Sequence, residues 1–158
     1  MKVGLYDIIN NPLPELYKIK DLNFKDKSLE YDEYIVQELN KNLMLDKLIS
    51  EHIYLLSLTY SNNPKGIIQL SIGKCDESII SLRDLGIGLL LTGAEQFMCF
   101  HNHPGGNREI SQSDILLTDR FIEVGNLLGI EFIRHIMVTQ NYYCECKKGN
   151  RLSDIPFS

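Results

Sequence analysis

His101 and His103 are separated by one residue in Phe100-His101-Asn102-His103-Pro104. On an extended chain two such side chains leave the same side, so their imidazoles can converge on one ion. A carboxylate is the natural third donor. Asp114 is the candidate, because the Pro104-Gly105-Gly106 loop can fold the chain back and bring the first turn of a following helix beside the two histidines. Two neutral nitrogens and one carboxylate oxygen, with a fourth position left to water, form the donor set of a catalytic zinc site. Zinc lowers the pKa of bound water from about 15.7 to about 7, and the released proton then needs a free carboxylate close by. His-x-His spacing is weak by itself, since two strand histidines also occur as structural residues. His-Asn-His-Pro-Gly-Gly followed by Ser-Gln-Ser-Asp is far more specific.

This longer pattern resembles that of the JAB/MPN (JAMM) metallohydrolases and, within them, the RadC-like group. The matching residues are His101 to Gly106, then Ser111-Gln112-Ser113-Asp114-Ile115 and Thr118. The resemblance implies a mixed sheet flanked by helices, in the three-layer arrangement of cytidine deaminases. It implies that His101, His103 and Asp114 bind zinc, and that a glutamate at the start of an earlier strand accepts a proton from the metal-bound water. Glu51, in Ser50-Glu51-His52-Ile53-Tyr54, is the matching carboxylate. Read from the residues alone, Glu51 has only its place before an apolar strand in its favour, and Glu95, Glu109 and Glu77 remain rivals. A glutamate in this role is a general base that later protonates the leaving amine. Ser111 has two compatible readings. As a helix cap its hydroxyl satisfies an orphan backbone N–H near Asp114; by the resemblance it also steadies an oxyanion, a role that contributes about 3 to 4 kcal/mol to a barrier.

The elements that must position these residues can be read from hydrophobic periodicity. Lys2 to Ile9 is expected as a strand and the chain from Asn10 to about Lys27 as a loop. An amphipathic helix is expected from Glu30 to about Leu48, with Ser28 as its cap. His52 to Tyr60 and Lys65 to Ile72 read as a hairpin across Ser61-Asn62-Asn63-Pro64. Ile80 to Leu91 reads as a helix ended by Gly93, with Gly86 and Gly88 allowing close packing on a sheet. Gln96 to Phe100 is a buried-strand candidate that delivers the chain into His101. A helix opens at Ser111 and stops at Gly129, and Phe132 to Val138 with Tyr142 to Lys147 form a second hairpin. The expected class is α/β or α+β, with a mixed sheet between helices.

His52 points away from Glu51 on a strand, and it and His135 are expected to be structural or surface histidines. His135 lies in Arg134-His135-Ile136-Met137-Val138, which looks like an Asp-His-Ile-Ile-Val stretch of RadC-like sequences; that likeness allows a supporting role behind the zinc. Arg134 stands where those sequences have aspartate. Cys75, Cys99, Cys144 and Cys146 contain no CxxC pair and are expected as free thiols, with Cys144 and Cys146 sharing one strand face.

The 158 residues fit one globular unit. The resemblance covers about residues 46–150, leaving 1–45 as an unmatched strand, loop and helix and 151–158 as a tail. A net charge of -5 argues against a broad grip on phosphate backbones. No apolar run is long enough to cross a bilayer and no basic region precedes an apolar leader, so the expectation is a cytoplasmic protein without a membrane partner. The resemblance implies a zinc-dependent hydrolase acting on a peptide or isopeptide amide of a protein or peptide substrate. The alternative is an accessory protein of DNA repair or of a mobile element that binds nucleic acid or a partner without hydrolysis.

Overall fold

The computed structural model describes residues 1–25, 29, 31–73, 80–147 and 153–155. They form a mixed sheet with helices on both faces. The strands are β1 (Lys2–Asn10), β2 (Pro14–Asn23), β3 (Glu51–Leu58), β4 (Pro64–Gly73), β5 (Gln96–Asn102), β6 (Glu131–Thr139), β7 (Tyr142–Glu145) and β8 (Ser153–Asp154). Their order across the sheet is β2-β1-β4-β3-β5-β6-β7-β8, parallel only between β1 and β4 and between β5 and β6. The helices are α1 (Asp32–Leu43), α2 (Leu82–Leu91) and α3 (Gln112–Leu128).

Period-two alternation sorts the side chains into two cores. Tyr54, Leu56, Met98 and Phe100 pack with Ile35, Val36 and Leu39 of α1. Ile53, Leu55, Phe97 and Cys99 pack with Leu85 and Leu89 of α2 and Leu117 and Phe121 of α3. Every residue of β5 is buried, because this strand is covered on both faces, and that is why it reads in sequence as an unbroken apolar run. The α2 helix comes close enough to the sheet that a Cβ on Gly88 would lie 2.7 Å from Ile68 Cδ1. No helix among the described residues is long and apolar enough to cross a membrane.

Two expectations are corrected. Pro14 to Asn23 is not loop but the edge strand β2, a hairpin partner of β1. Its residues are mostly exposed, so burial imposes no apolar alternation. Backbone pairing with β1 makes most of the strand, only Leu22 and Leu16 reach the two cores, and Lys18, Lys20 and Asp21 give it the charged character of an edge. The helix expected to reach Leu48 ends at Leu43, because Met44 takes a left-handed conformation (φ 52°) and returns its N–H to Asn40 O. Leu45 is buried in a separate 3-10 turn, Leu45–Lys47, so the apolar run there fills the core without extending the helical stripe. The proposed cap Ser28 lies outside the described residues, and the residue preceding α1, Tyr31, makes no side-chain cap bond.

Candidate metal centre

The β5 strand ends at Asn102 and hands the chain to His103 and a 3-10 turn at Pro104–Gly106. Gly105 (φ 71°) and Gly106 (φ 76°) both lie in the left-handed region, which L side chains occupy at a cost. Those two residues permit the reversal that returns α3 to the strand end. At the start of α3 a reciprocal cap forms: Asp114 N–H donates to Ser111 Oγ (3.1 Å) and Ser111 N–H donates to Asp114 Oδ2 (2.7 Å). The cap fixes the Asp114 carboxylate, and the positive end of the helix favours its ionised form.

His101, His103 and Asp114 therefore meet. His101 Nε2 lies 3.0 Å from His103 Nε2 and 3.1 Å from Asp114 Oδ1, and His103 Nε2 lies 3.2 Å from Asp114 Oδ2. All three side chains are buried. Ligand atoms about 2.0 to 2.1 Å from a tetrahedral ion are about 3.3 Å from one another. The two nitrogens and the carboxylate, which turns Oδ1 to His101 and Oδ2 to His103, thus stand at about the edge length of a tetrahedral set, and the residues fit a metal ion. Burial by itself would raise the Asp114 carboxyl; its contacts with the His101 and His103 rings, the charge of His101 and the Ser111 N–H outweigh it and hold the group far below the ordinary carboxylate range.

A second group, His101, His135 and Cys146, is also compact enough to suggest a metal site. Its geometry is that of a hydrogen bond instead. His101 Nδ1 and His135 Nε2 are 2.7 Å apart, closer than two nitrogens on one ion would be, and Cys146 Sγ stands 4.0 Å from His101 Nδ1. His135 is fully buried; burial, followed by the neighbouring His101, drives its pKa well below the ordinary histidine value, so it is neutral. The sequence marks His135 only by the Arg134-His135-Ile136-Met137-Val138 stretch; its position on β6, where it pairs with Cys99 on the face that carries His101, comes from the fold.

Glu51 opens β3. The β3–β5 register pairs Ile53 with His101, so two residues back Glu51 stands level with His103, on the face that carries both histidines. The rivals are placed otherwise. Glu95 precedes the opposite end of β5 and accepts the Tyr60 N–H at 2.6 Å. Glu109 is exposed in the loop before α3, and Glu77 lies outside the described residues. Asn102, which the pattern contains but spacing did not single out, is fully buried beside Glu51. Its Oδ1 accepts the His52 N–H (2.7 Å) and its Nδ2 donates to Ser50 O (3.0 Å). His52 faces away, with Nε2 3.0 Å from Ser50 Oγ and Nδ1 3.3 Å from Tyr54 OH. Cys99, Cys144 and Cys146 are free and buried, and Cys75 lies outside the described residues.

Fold and site together define a three-layer α+β domain with a buried pair of histidines and an aspartate at the end of a central strand. Residues 28–150 match the family model of the RadC-like JAB domain, a match that begins ahead of α1. The chain belongs to the RadC-like JAB domain family. It is 35% identical over 101 residues to a UPF0758 protein of Listeria monocytogenes, covering 64% of this chain and 45% of that protein. A UPF0758 protein of Moorella thermoacetica is 32% identical over 113 residues, covering 70% of this chain and 49% of that protein. A third, from Clostridium acetobutylicum, is 28% identical over 165 residues, covering 92% and 72%. The chain spans about half the length of the Listeria and Moorella relatives.

Proposed function

We propose that this protein is a zinc-dependent hydrolase of the JAMM type that cleaves a peptide or isopeptide amide. The observation that carries the reading is the convergence of His101 Nε2, His103 Nε2 and Asp114 at 3.0 to 3.2 Å on a strand end that faces Glu51. In this reading His101, His103 and Asp114 hold the ion. A zinc ion held there would supply Lewis acidity toward the scissile carbonyl and toward water. Glu51 takes the proton from the attacking water and delivers it to the departing amine. The Ser111 hydroxyl accepts the Asp114 N–H, which leaves its own proton for donation to the oxyanion. Burial of the three ligand side chains keeps bulk water from competing for the same donors.

The test is zinc content by elemental analysis on wild type and Glu51→Gln after dialysis, together with turnover of peptide and isopeptide-linked libraries. One zinc per chain in both, with cleavage by wild type alone, is the expected result. A wild type that retains no zinc overturns the proposal. Zinc in both with cleavage of no library member overturns the hydrolytic part and leaves the metal site standing.

A further inference from the structure

A neutral histidine that binds a metal through Nε2 keeps its proton on Nδ1, and that N–H almost always donates to a nearby acceptor. For His101 the structure provides a complete chain of acceptors. His101 Nδ1 lies 2.7 Å from His135 Nε2, His135 Nδ1 lies 2.8 Å from Thr118 Oγ1, and Thr118 Oγ1 donates to Asp114 O at 2.8 Å. We propose that His135 and Thr118 are positioning residues that set the tautomer of His101, presenting its Nε2 as a lone pair to the metal. This inference rests on the metal reading above.

The proton count closes along this chain, with the Cys146 thiol a longer contact of His101 Nδ1 at 4.0 Å. Thr118 has one hydroxyl proton and gives it to the Asp114 carbonyl, so its oxygen can only accept from His135, whose proton must then sit on Nδ1. A neutral imidazole with a proton on Nδ1 has a lone pair on Nε2, which accepts from His101 Nδ1–H. The remaining His101 nitrogen, Nε2, is the atom that faces Asp114 and His103. The chain ends on the backbone of the same residue whose side chain faces His101 across the centre. One turn of α3 therefore supplies both a metal-facing carboxylate and the anchor for a histidine that also faces the metal. Phe121, one turn further along α3, packs edge-on against His135 with ring centroids 5.1 Å apart and keeps the imidazole in line.

His103 is held differently. Its N–H donates to Val138 O (2.8 Å) and its carbonyl accepts from Thr139 Oγ1 (3.0 Å), yet its Nδ1 is buried with no hydrogen-bond partner among the described residues. The two histidines are therefore unequal: the ring of His101 is ordered through side chains, while His103 is fixed through its main chain.

The test compares wild type, Thr118→Val, Thr118→Ser and His135→Ala by zinc affinity in competition with a chromophoric chelator. Melting of each metal-free form reports folding separately. Thr118→Val keeps the shape and removes the acceptor, and is expected to weaken zinc binding about 10- to 100-fold, with Thr118→Ser restoring it. Long-range proton–nitrogen NMR on the zinc-loaded wild type reads the tautomer directly: His135 should carry its proton on Nδ1, with a coupling across the hydrogen bond to His101 Nδ1. A purely structural Thr118 would lower the melting temperature and leave zinc affinity and tautomer alone, which overturns the inference. A His135 proton on Nε2 in the loaded protein also overturns it. A wild type that binds no zinc overturns the metal reading itself, and is told apart from either result by the wild-type titration. If Thr118→Val fails to fold, the tautomer measured in wild type still decides.

Discussion

Asn102 grips the peptide on both sides of Glu51: its side-chain oxygen takes the His52 N–H at 2.7 Å and its side-chain nitrogen gives to the Ser50 carbonyl at 3.0 Å. It lies between His101 and His103, so one buried amide ties the strand carrying the histidines to the strand carrying the glutamate. A side chain here replaces a backbone ladder, and it makes the separation between Glu51 and the histidines a property of a rigid pair.

Asn102→Asp keeps the acceptor for His52 and removes the donor to Ser50. It is expected to leave zinc content at one per chain and to lower kcat about 10- to 100-fold on a substrate that wild type cleaves, because a misplaced base is costly. Steady-state kinetics and elemental analysis on the same preparation check it. A loss of zinc in parallel with kcat would show that Asn102 serves the histidines instead of Glu51.

Ser111 combines a cap and a candidate oxyanion donor, and two substitutions separate them. Ser111→Asp retains a side-chain acceptor for the Asp114 N–H, whereas Ser111→Ala loses it and should cost about 1 kcal/mol of stability. Both should lower kcat by about 100-fold or more if the hydroxyl proton serves the oxyanion. Urea unfolding beside kinetics reads the two effects, and a Ser111→Asp protein with wild-type kcat would leave the serine as a cap alone.

Two helical glycines should answer alanine in opposite directions. A Cβ on Gly125 would lie 2.7 Å from the backbone oxygen of Ile130 and 3.1 Å from Phe97 Cε1, whereas one on Gly86 would find its nearest neighbour, Leu128 Cδ1, at 3.8 Å. Gly125→Ala is expected to lose about 1 to 2 kcal/mol, overcrowding outweighing the better helix former. Gly86→Ala should gain up to about 1 kcal/mol. Denaturant midpoints at matched slope decide both.

Burial, and behind it the Asp114 carboxylate, pushes the Cys144 thiol up to about 11. A thiol with a folded value above its unfolded value contributes stability that is fully present below the unfolded pKa and lost as pH rises through the folded one. The metal-free protein should therefore lose stability as the pH rises from about 9 toward 11. Cys99 and Cys146 shift in the same direction and steepen the fall. Unfolding free energies measured between pH 8 and 10.5 should show Cys144→Ala with a slope shallower by about one proton. An identical slope would place the Cys144 thiol in water.

The sequence by itself determined what lies within reach of its own neighbours. His101 and His103 share a side because strands alternate. Pro104-Gly105-Gly106 turns the chain because glycine tolerates positive φ, and Ser111 caps Asp114 because both act within one helical turn. Tertiary structure decided the rest. The β3–β5 register, a pairing of distant segments that no local periodicity encodes, brings Glu51 and not Glu95 to the strand end that carries the histidines. His135 became a partner of His101, and Thr118 a partner of His135, only once β6 lay beside β5 and α3 packed across them. The β2 strand has no alternating apolar pattern in the sequence, because an edge strand draws most of its order from backbone pairing and buries few side chains. Local spacing sets which donors can converge, while packing of remote elements sets which carboxylate lies beside them and which neighbour each imidazole nitrogen meets.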